Sequence, residues 1–190
     1  MGVAILLNGP PRAGKDTAAA ALSSRFAAFH YKLSHPLKVA IPALLGIEDR
    51  KLELERDKDE PKDVLFGRTF RELQIGLSEL FVKPMLGQGA FGSFAAQHIK
   101  NHCGPGRMVV ISDLGFPYEV DPIIRVVGKK NVLILQLSRE GCDFNKDSRS
   151  YVEHNDVEMI QLHNKYDVET YKAQVIRAVE RWMDQTKGPR

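Results

Sequence analysis

Gly9-Pro10-Pro11-Arg12-Ala13-Gly14-Lys15-Asp16-Thr17 is the stretch on which the reading of this chain turns. Two glycines bracket four residues, a lysine follows the second, and a hydroxyl lies close behind it. Upstream, Val3-Ala4-Ile5-Leu6-Leu7 is an unbroken apolar run, as a strand buried on both faces requires. Downstream, Thr17 to Phe26 is rich in alanine and predicts a helix. Strand, glycine-bounded loop and helix form the context in which this spacing binds phosphate. Glycines let the backbone N–H groups turn inward around the anion, and the helix adds the positive end of its dipole.

The chemistry of each position follows. Gly9, Arg12, Ala13, Gly14, Lys15, Asp16 and Thr17 are the candidate nucleotide-binding residues. Lys15 is long enough to reach the β- and γ-phosphates of ATP, and the Thr17 hydroxyl is a candidate Mg²⁺ ligand. In the commonest form of the motif the hydroxyl directly follows the lysine; here Asp16 does, and Thr17 comes one later.

Further along, Met108-Val109-Val110-Ile111-Ser112-Asp113 and Val132 to Leu137 read as core strands, and Met159 to Leu162 as a last one. His30 to Ser34 suits a second strand. Pro36 to Leu45, Thr69 to Val82, Ala90 to His102, Tyr118 to Val127 and Asp167 to Gln185 have helical spacing. Residues 48–63 are dense in charge and read as an exposed loop or solvated helical excursion. Short apolar strands alternating with helices predict an α/β fold with a mostly parallel sheet. Asp113 closes a core strand, where phosphoryl-transfer proteins place a carboxylate linked to Mg²⁺ or to the attacking group. It is therefore a candidate both as a metal ligand and as a base.

The 190 residues carry 27 Lys+Arg against 24 Asp+Glu, a formal charge of +3 that permits a polyanionic partner without requiring one. Ordinary proportions of apolar, charged, Gly and Pro residues exclude a disordered chain, a collagen-like repeat and a disulfide scaffold. Two cysteines suggest a reducing compartment, and no apolar run approaches the ~18 residues of a membrane span. The expectation is a soluble, cytoplasmic protein with no membrane partner, its assembly as a homodimer left open.

In order along the chain stand Gly14-Lys15-Asp16-Thr17, His35-Pro36-Leu37-Lys38, Arg71-Glu72-Leu73-Gln74 and Ser112-Asp113-Leu114-Gly115-Phe116-Pro117-Tyr118-Glu119. The set resembles the deoxynucleoside monophosphate kinases of bacteriophages, within the thymidylate-kinase-like P-loop group. The resemblance runs to about Glu153, with Ser138-Arg139 and Asp147-Ser148-Arg149 similar to a lid. It implies one three-layer P-loop kinase domain over residues 1–190, with about five strands and a lid over 138–156. It also implies ATP, Mg²⁺ and transfer to a deoxynucleotide. The implied catalytic residues are Lys15, Asp16, Asp113, Arg139 and Arg149, and the implied acceptor residues Arg71, Glu79, Lys83 and Glu119.

The departures bear on the acceptor. The family pattern has an arginine two residues after the strand-end Asp, where this chain has Gly115. It has a Glu-x-x-Arg element where this chain reads Glu79-Leu80-Phe81-Val82-Lys83. Arginines there grip an acceptor phosphate, whereas a hydroxyl acceptor needs fewer cations and a carboxylate base. A second resemblance follows, to phage enzymes of the same group that phosphorylate 5-hydroxymethyluracil within DNA. The expected partner is then DNA containing 5-hydroxymethyluracil, the alternative a free deoxynucleoside monophosphate. A module that binds nucleotide without transferring phosphate is the rival from another class.

Overall fold

The structure, a computed structural model, describes residues 2–104, 106–145 and 147–187. The chain divides into two compact units, one of residues up to Leu33 and from Gly92 onward, the other Ser34–Phe91.

The first unit is built on a five-stranded sheet. Its strands are β1 (Val3–Asn8), β2 (Phe29–Tyr31), β5 (Met108–Leu114), β6 (Val132–Ser138) and β7 (Glu158–His163). The order across the sheet is β2-β5-β1-β6-β7, and every neighbouring pair is parallel. Parallel strands need crossovers that lay helices on both faces. Ile5, Leu7, Val110, Leu133 and Leu135 belong to the core shared with helices α1 (Lys15–Phe26) and α8 (Val168–Lys187), which supply Leu22, Val175, Val179 and Trp182. Strand alternation turns Ala4, Leu6, Val109, Ile111 and Ile134 the other way, where they are equally buried. On that side lie α6 (Ala90–His102) and α7 (Val120–Val127), with Ile99 and Val127 beside Val109. This is the α/β architecture expected, with each central strand buried on both faces.

Strand register carries one irregularity. Leu6 pairs with Ile111, but Asn8 pairs with Leu114, so β5 holds one residue more than β1 over this stretch. Such a bulge re-aims the side chains it carries. Here it contains Ser112 and Asp113.

Gly92 shows how tightly α6 is seated. A Cβ at this position would overlap the Glu119 carbonyl oxygen and stand 2.8 Å from the Glu119 Cα. Both are main-chain atoms, so relief requires a helix shift. Gly92→Ala is expected to cost about 1–3 kcal/mol, read as a lower midpoint in thermal unfolding; an unchanged midpoint would refute the close packing.

The second unit is mainly helical: α2 (His35–Leu45), α3 (Lys51–Arg56), a short hairpin of β3 (Pro61–Lys62) and β4 (Arg68–Thr69), α4 (Phe70–Leu77) and α5 (Lys83–Leu86). Thr69 caps α4: its hydroxyl accepts from the Glu72 N–H at 3.0 Å, and the Glu72 carboxylate accepts from the Thr69 N–H at 2.8 Å. The single helix expected over Thr69 to Val82 ends instead at Leu77 and widens into a π turn over Ser78–Val82. Pro84 gives the reason, since it has no N–H for the Leu80 carbonyl and its ring crowds that oxygen. Among the described residues no helix is long and apolar enough to cross a membrane.

Candidate active site

The loop between β1 and α1 is shaped by its glycines and held by three partners from other parts of the first unit. Gly14 has φ +104°, a conformation that L side chains rarely adopt, and an added Cβ would lie 2.6 Å from Asn164 Nδ2. A Cβ on Gly9 would overlap the Leu137 carbonyl oxygen, so the loop lies flat against the end of β6. Asn164 donates from Nδ2 to the Ala13 carbonyl at 3.2 Å, and the Tyr171 hydroxyl donates to the Gly14 carbonyl at 3.4 Å. Burial pushes the Tyr171 phenol up to about 12, which keeps it a donor.

Below the loop, Asn8 is wholly buried. Its amide donates to the carbonyls of Leu114 at 3.0 Å and Ser150 at 3.1 Å, and its Oδ1 accepts from the Val152 N–H at 3.0 Å. One side chain thus joins the ends of β1 and β5 to the segment after Arg149. Gln136 adds a bond from Nε2 to the Val152 carbonyl at 2.9 Å. Sequence reasoning missed Asn8, Asn164, Tyr171 and Gln136 as site supports. The one visible signal was a polar residue, Asn8, closing an apolar strand.

The Lys15 ammonium sits over the loop, donating to the carbonyls of Gly9 at 2.6 Å and Pro10 at 2.7 Å. Burial, followed by the positive charge of Arg149, lowers it from its ordinary 10.5 to about 8. A cation held this way favours an anion beside it. Helix α1 supplies the rest: no side chain caps its N-terminus at Gly14, so its first-turn N–H groups have no capping partner. The residues therefore fit a phosphate group. Thr17 lies half-buried in the first turn and Asp113 on the bulge of β5, a hydroxyl and a carboxylate of the kinds that could hold Mg²⁺. Among the described residues no three His, Cys, Asp or Glu side chains cluster as a metal site.

The remaining expected residues fall into distinct surroundings. Asp113 Oδ1 accepts from the Leu33 N–H at 2.6 Å, which ties the end of β5 to the end of β2. Asp16 is largely exposed and paired with Lys32 at 2.8 Å. Burial would raise its pKa, but the hydrogen bond and charge of Lys32 outweigh that and hold it low. Glu119 is buried and accepts from the N–H groups of Gly115 and Phe116, both at 3.0 Å. It organises the turn after Asp113. Arg149 forks onto Asp147, donating from Nε at 2.7 Å and from Nη2 to the second oxygen. Its pKa is raised, first by that hydrogen bond and then by the charges of Asp147, Asp113 and Glu119. Arg12 is exposed at the loop tip with φ 66°, and Arg139 is exposed just beyond β6. Residue 146, inside the expected lid, lies outside the described residues.

Arg71, Glu79 and Lys83 belong to the second unit. Arg71 is paired with Asp59. Lys83 is buried and donates to Glu79 at 2.6 Å, and Ser78 donates to the same oxygen at 3.0 Å.

The structure brings Gly9, Ala13, Gly14, Lys15, Asp113, Glu119 and Arg149 together at the carboxyl ends of the parallel strands, where α/β folds bind ligands. No protein-family model and no curated protein matches the sequence. The fold is similar to solved structures. An unliganded sugar kinase from Janibacter aligns with TM-score 0.52 and 11% identity, covering 97% of this chain and 95% of that one. A putative kinase from Chloroflexus aurantiacus aligns with TM-score 0.50 and 10% identity, covering 95% and 97%. A thymidylate kinase from Candida albicans aligns with TM-score 0.47 and 14% identity, covering 95% and 92%. At these identities the first two show a shared fold.

The lowered Lys15 fixes a pH dependence. Its proton is lost as pH rises through about 8 in the free protein, and with it the positive charge over the loop. For ligand binding, affinity of the loop for inorganic phosphate is expected to fall above about pH 8, where the free protein loses that charge. For stability, a lysine lowered on folding opposes folding while protonated, so this contribution improves as pH rises from about 8 towards 10.5. A phosphate affinity flat up to pH 10 would contradict this.

Proposed function

We propose that the protein is an ATP-dependent kinase that transfers the γ-phosphate to a hydroxyl group. The observation that carries this is the uncapped start of α1 beneath the Lys15 ammonium, with the Asp113 carboxylate on the neighbouring β5. The loop N–H groups and Lys15 hold the nucleotide phosphates, and Thr17 and Asp113 hold Mg²⁺, which neutralises charge on the transferring group when bound. Asp113 orients or deprotonates the acceptor hydroxyl, a role that the pairing of Asp16 with Lys32 disfavours for Asp16. Residues 138–156 act as the lid, with Arg139 and Arg149 stabilising charge on the transferring group.

For the acceptor, we infer the hydroxymethyl group of 5-hydroxymethyluracil in DNA, met in the cytoplasm. Arg71 and Lys83, the two cations on the second unit that are candidates for the acceptor, are matched by Asp59 and Glu79. A neutral hydroxyl tolerates that matching better than a dianionic phosphate does. Exposed aromatic side chains on the same unit, Phe66 and Phe81, are of the kind that stack on bases.

The test offers γ-labelled ATP with Mg²⁺, and either DNA containing 5-hydroxymethyluracil or the deoxynucleoside monophosphates. Label on the DNA is expected. Label on a mononucleotide would move the acceptor to that class, and label on neither would reduce the protein to a nucleotide-binding module.

A further inference from the structure

Gly115 has a backbone that does not need glycine, being absent from the residues with positive φ. What excludes a side chain there is Arg149. A Cβ on Gly115 would lie 2.6 Å from Arg149 Cδ and 2.9 Å from Cγ, and the next nearest atom, Glu119 Oε2, is 3.8 Å away. The aliphatic stem of Arg149 therefore runs across the bare face of Gly115. Both ends of this arrangement are fixed. Glu119 pins the main chain by accepting from the Gly115 and Phe116 N–H groups. Asp147 fixes the guanidinium with a two-point fork, and the Arg149 N–H donates to the same carboxylate at 3.1 Å. The side chain is only 24% exposed, so its path is set by packing and not by solvent. The chain beside Arg149 is seated at the foot of the loop, where Asn8, one residue before Gly9, donates to the Ser150 carbonyl at 3.1 Å.

We propose that Gly115 is a positioning residue: its bare backbone is the seat across which Arg149 reaches the phosphate loop, where the guanidinium serves the terminal phosphate of a bound nucleoside triphosphate. The proposal rests on the kinase reading and deepens it. Glycine at 115 and arginine at 149 are one device, with Asp147 holding the guanidinium in orientation until the phosphate arrives.

Two measurements on Gly115→Ala, Arg149→Ala and the double variant test it. In calorimetric titration with Mg²⁺ and the β,γ-imido analogue of ATP, each single variant is expected to bind about tenfold or more weakly, the scale of a lost charge-assisted hydrogen bond. The double variant is expected to be no weaker than Arg149→Ala, and ADP affinity to change by less than about twofold throughout. In thermal unfolding, Gly115→Ala is expected to lower Tm when Arg149 is present and to leave it unchanged in the Arg149→Ala background. Losses that multiply in the double variant, or Gly115→Ala behaving as wild type, would overturn the seat. An equal loss for ADP would overturn the assignment to the terminal phosphate. If the wild-type protein bound neither nucleotide, the kinase reading and the ligand given to Arg149 would fall together; the Tm comparison would still separate that failure from failure of the seat.

Discussion

Lys15→Ala is expected to lower phosphate transfer by a factor on the order of 10³ or more while leaving the thermal midpoint close to wild type. The two halves of this expectation have different origins. Activity falls because the variant removes the ammonium at the loop mouth, the one cation in the first turn of α1. Stability survives because the side chain's hydrogen bonds go to two loop carbonyls, Gly9 and Pro10, and because the ammonium is a charge that burial disfavours. Transfer of label from ATP, measured beside an unfolding curve, checks both. Retained turnover in the variant would sink the kinase reading, and a collapse of the midpoint would show that the loop needs the lysine for its shape.

Asn8→Ala is expected to do the reverse and strike the scaffold first. The buried amide satisfies the carbonyls of Leu114 and Ser150 and the N–H of Val152. Truncation leaves these main-chain groups without that partner, and the bonds to Leu114 and Val152 are buried. A cost of about 3 kcal/mol follows from the price of buried unsatisfied groups. For a chain of this length that is a fall in Tm of roughly 6–12 °C. Activity should decline as well, since the Ser150 and Val152 bonds anchor the chain just beyond Arg149. A midpoint within a degree of wild type would show that the clamp contributes nothing.

The contrast between these two residues marks how far the sequence could be read. Lys15 was legible because its chemistry is local: a loop, a lysine and a helix start lie within a few residues of one another. The strands were legible because burial on both faces needs continuous apolar runs, as in Val3–Leu7 and Val132–Leu137. Asn8 was not, because its partners lie more than a hundred residues away and a polar strand end has many ordinary uses. Asp113 was placed at the correct strand end, but the bulge that carries it depends on pairing with β1. The helix after Thr69 was drawn past Leu77 because Leu77 and Leu80–Phe81 keep the period, while Pro84 acts from beyond the predicted end. Gly115 read as a missing cation; only the packing shows Arg149 lying across it.

The strand order has a further consequence, for how the protein is made. β1 pairs with β5 and β6, whose residues are about a hundred or more positions further along the chain. On a ribosome adding about 5–20 residues per second, the apolar segment Val3–Leu7 waits roughly 5–20 s before its first partner strand exists. During that interval it is an unpaired, aggregation-prone edge, and closing the sheet around it is a long-range step of the slow kind. The loop that follows β1 directly therefore acquires its working shape only after strands from far along the chain have emerged.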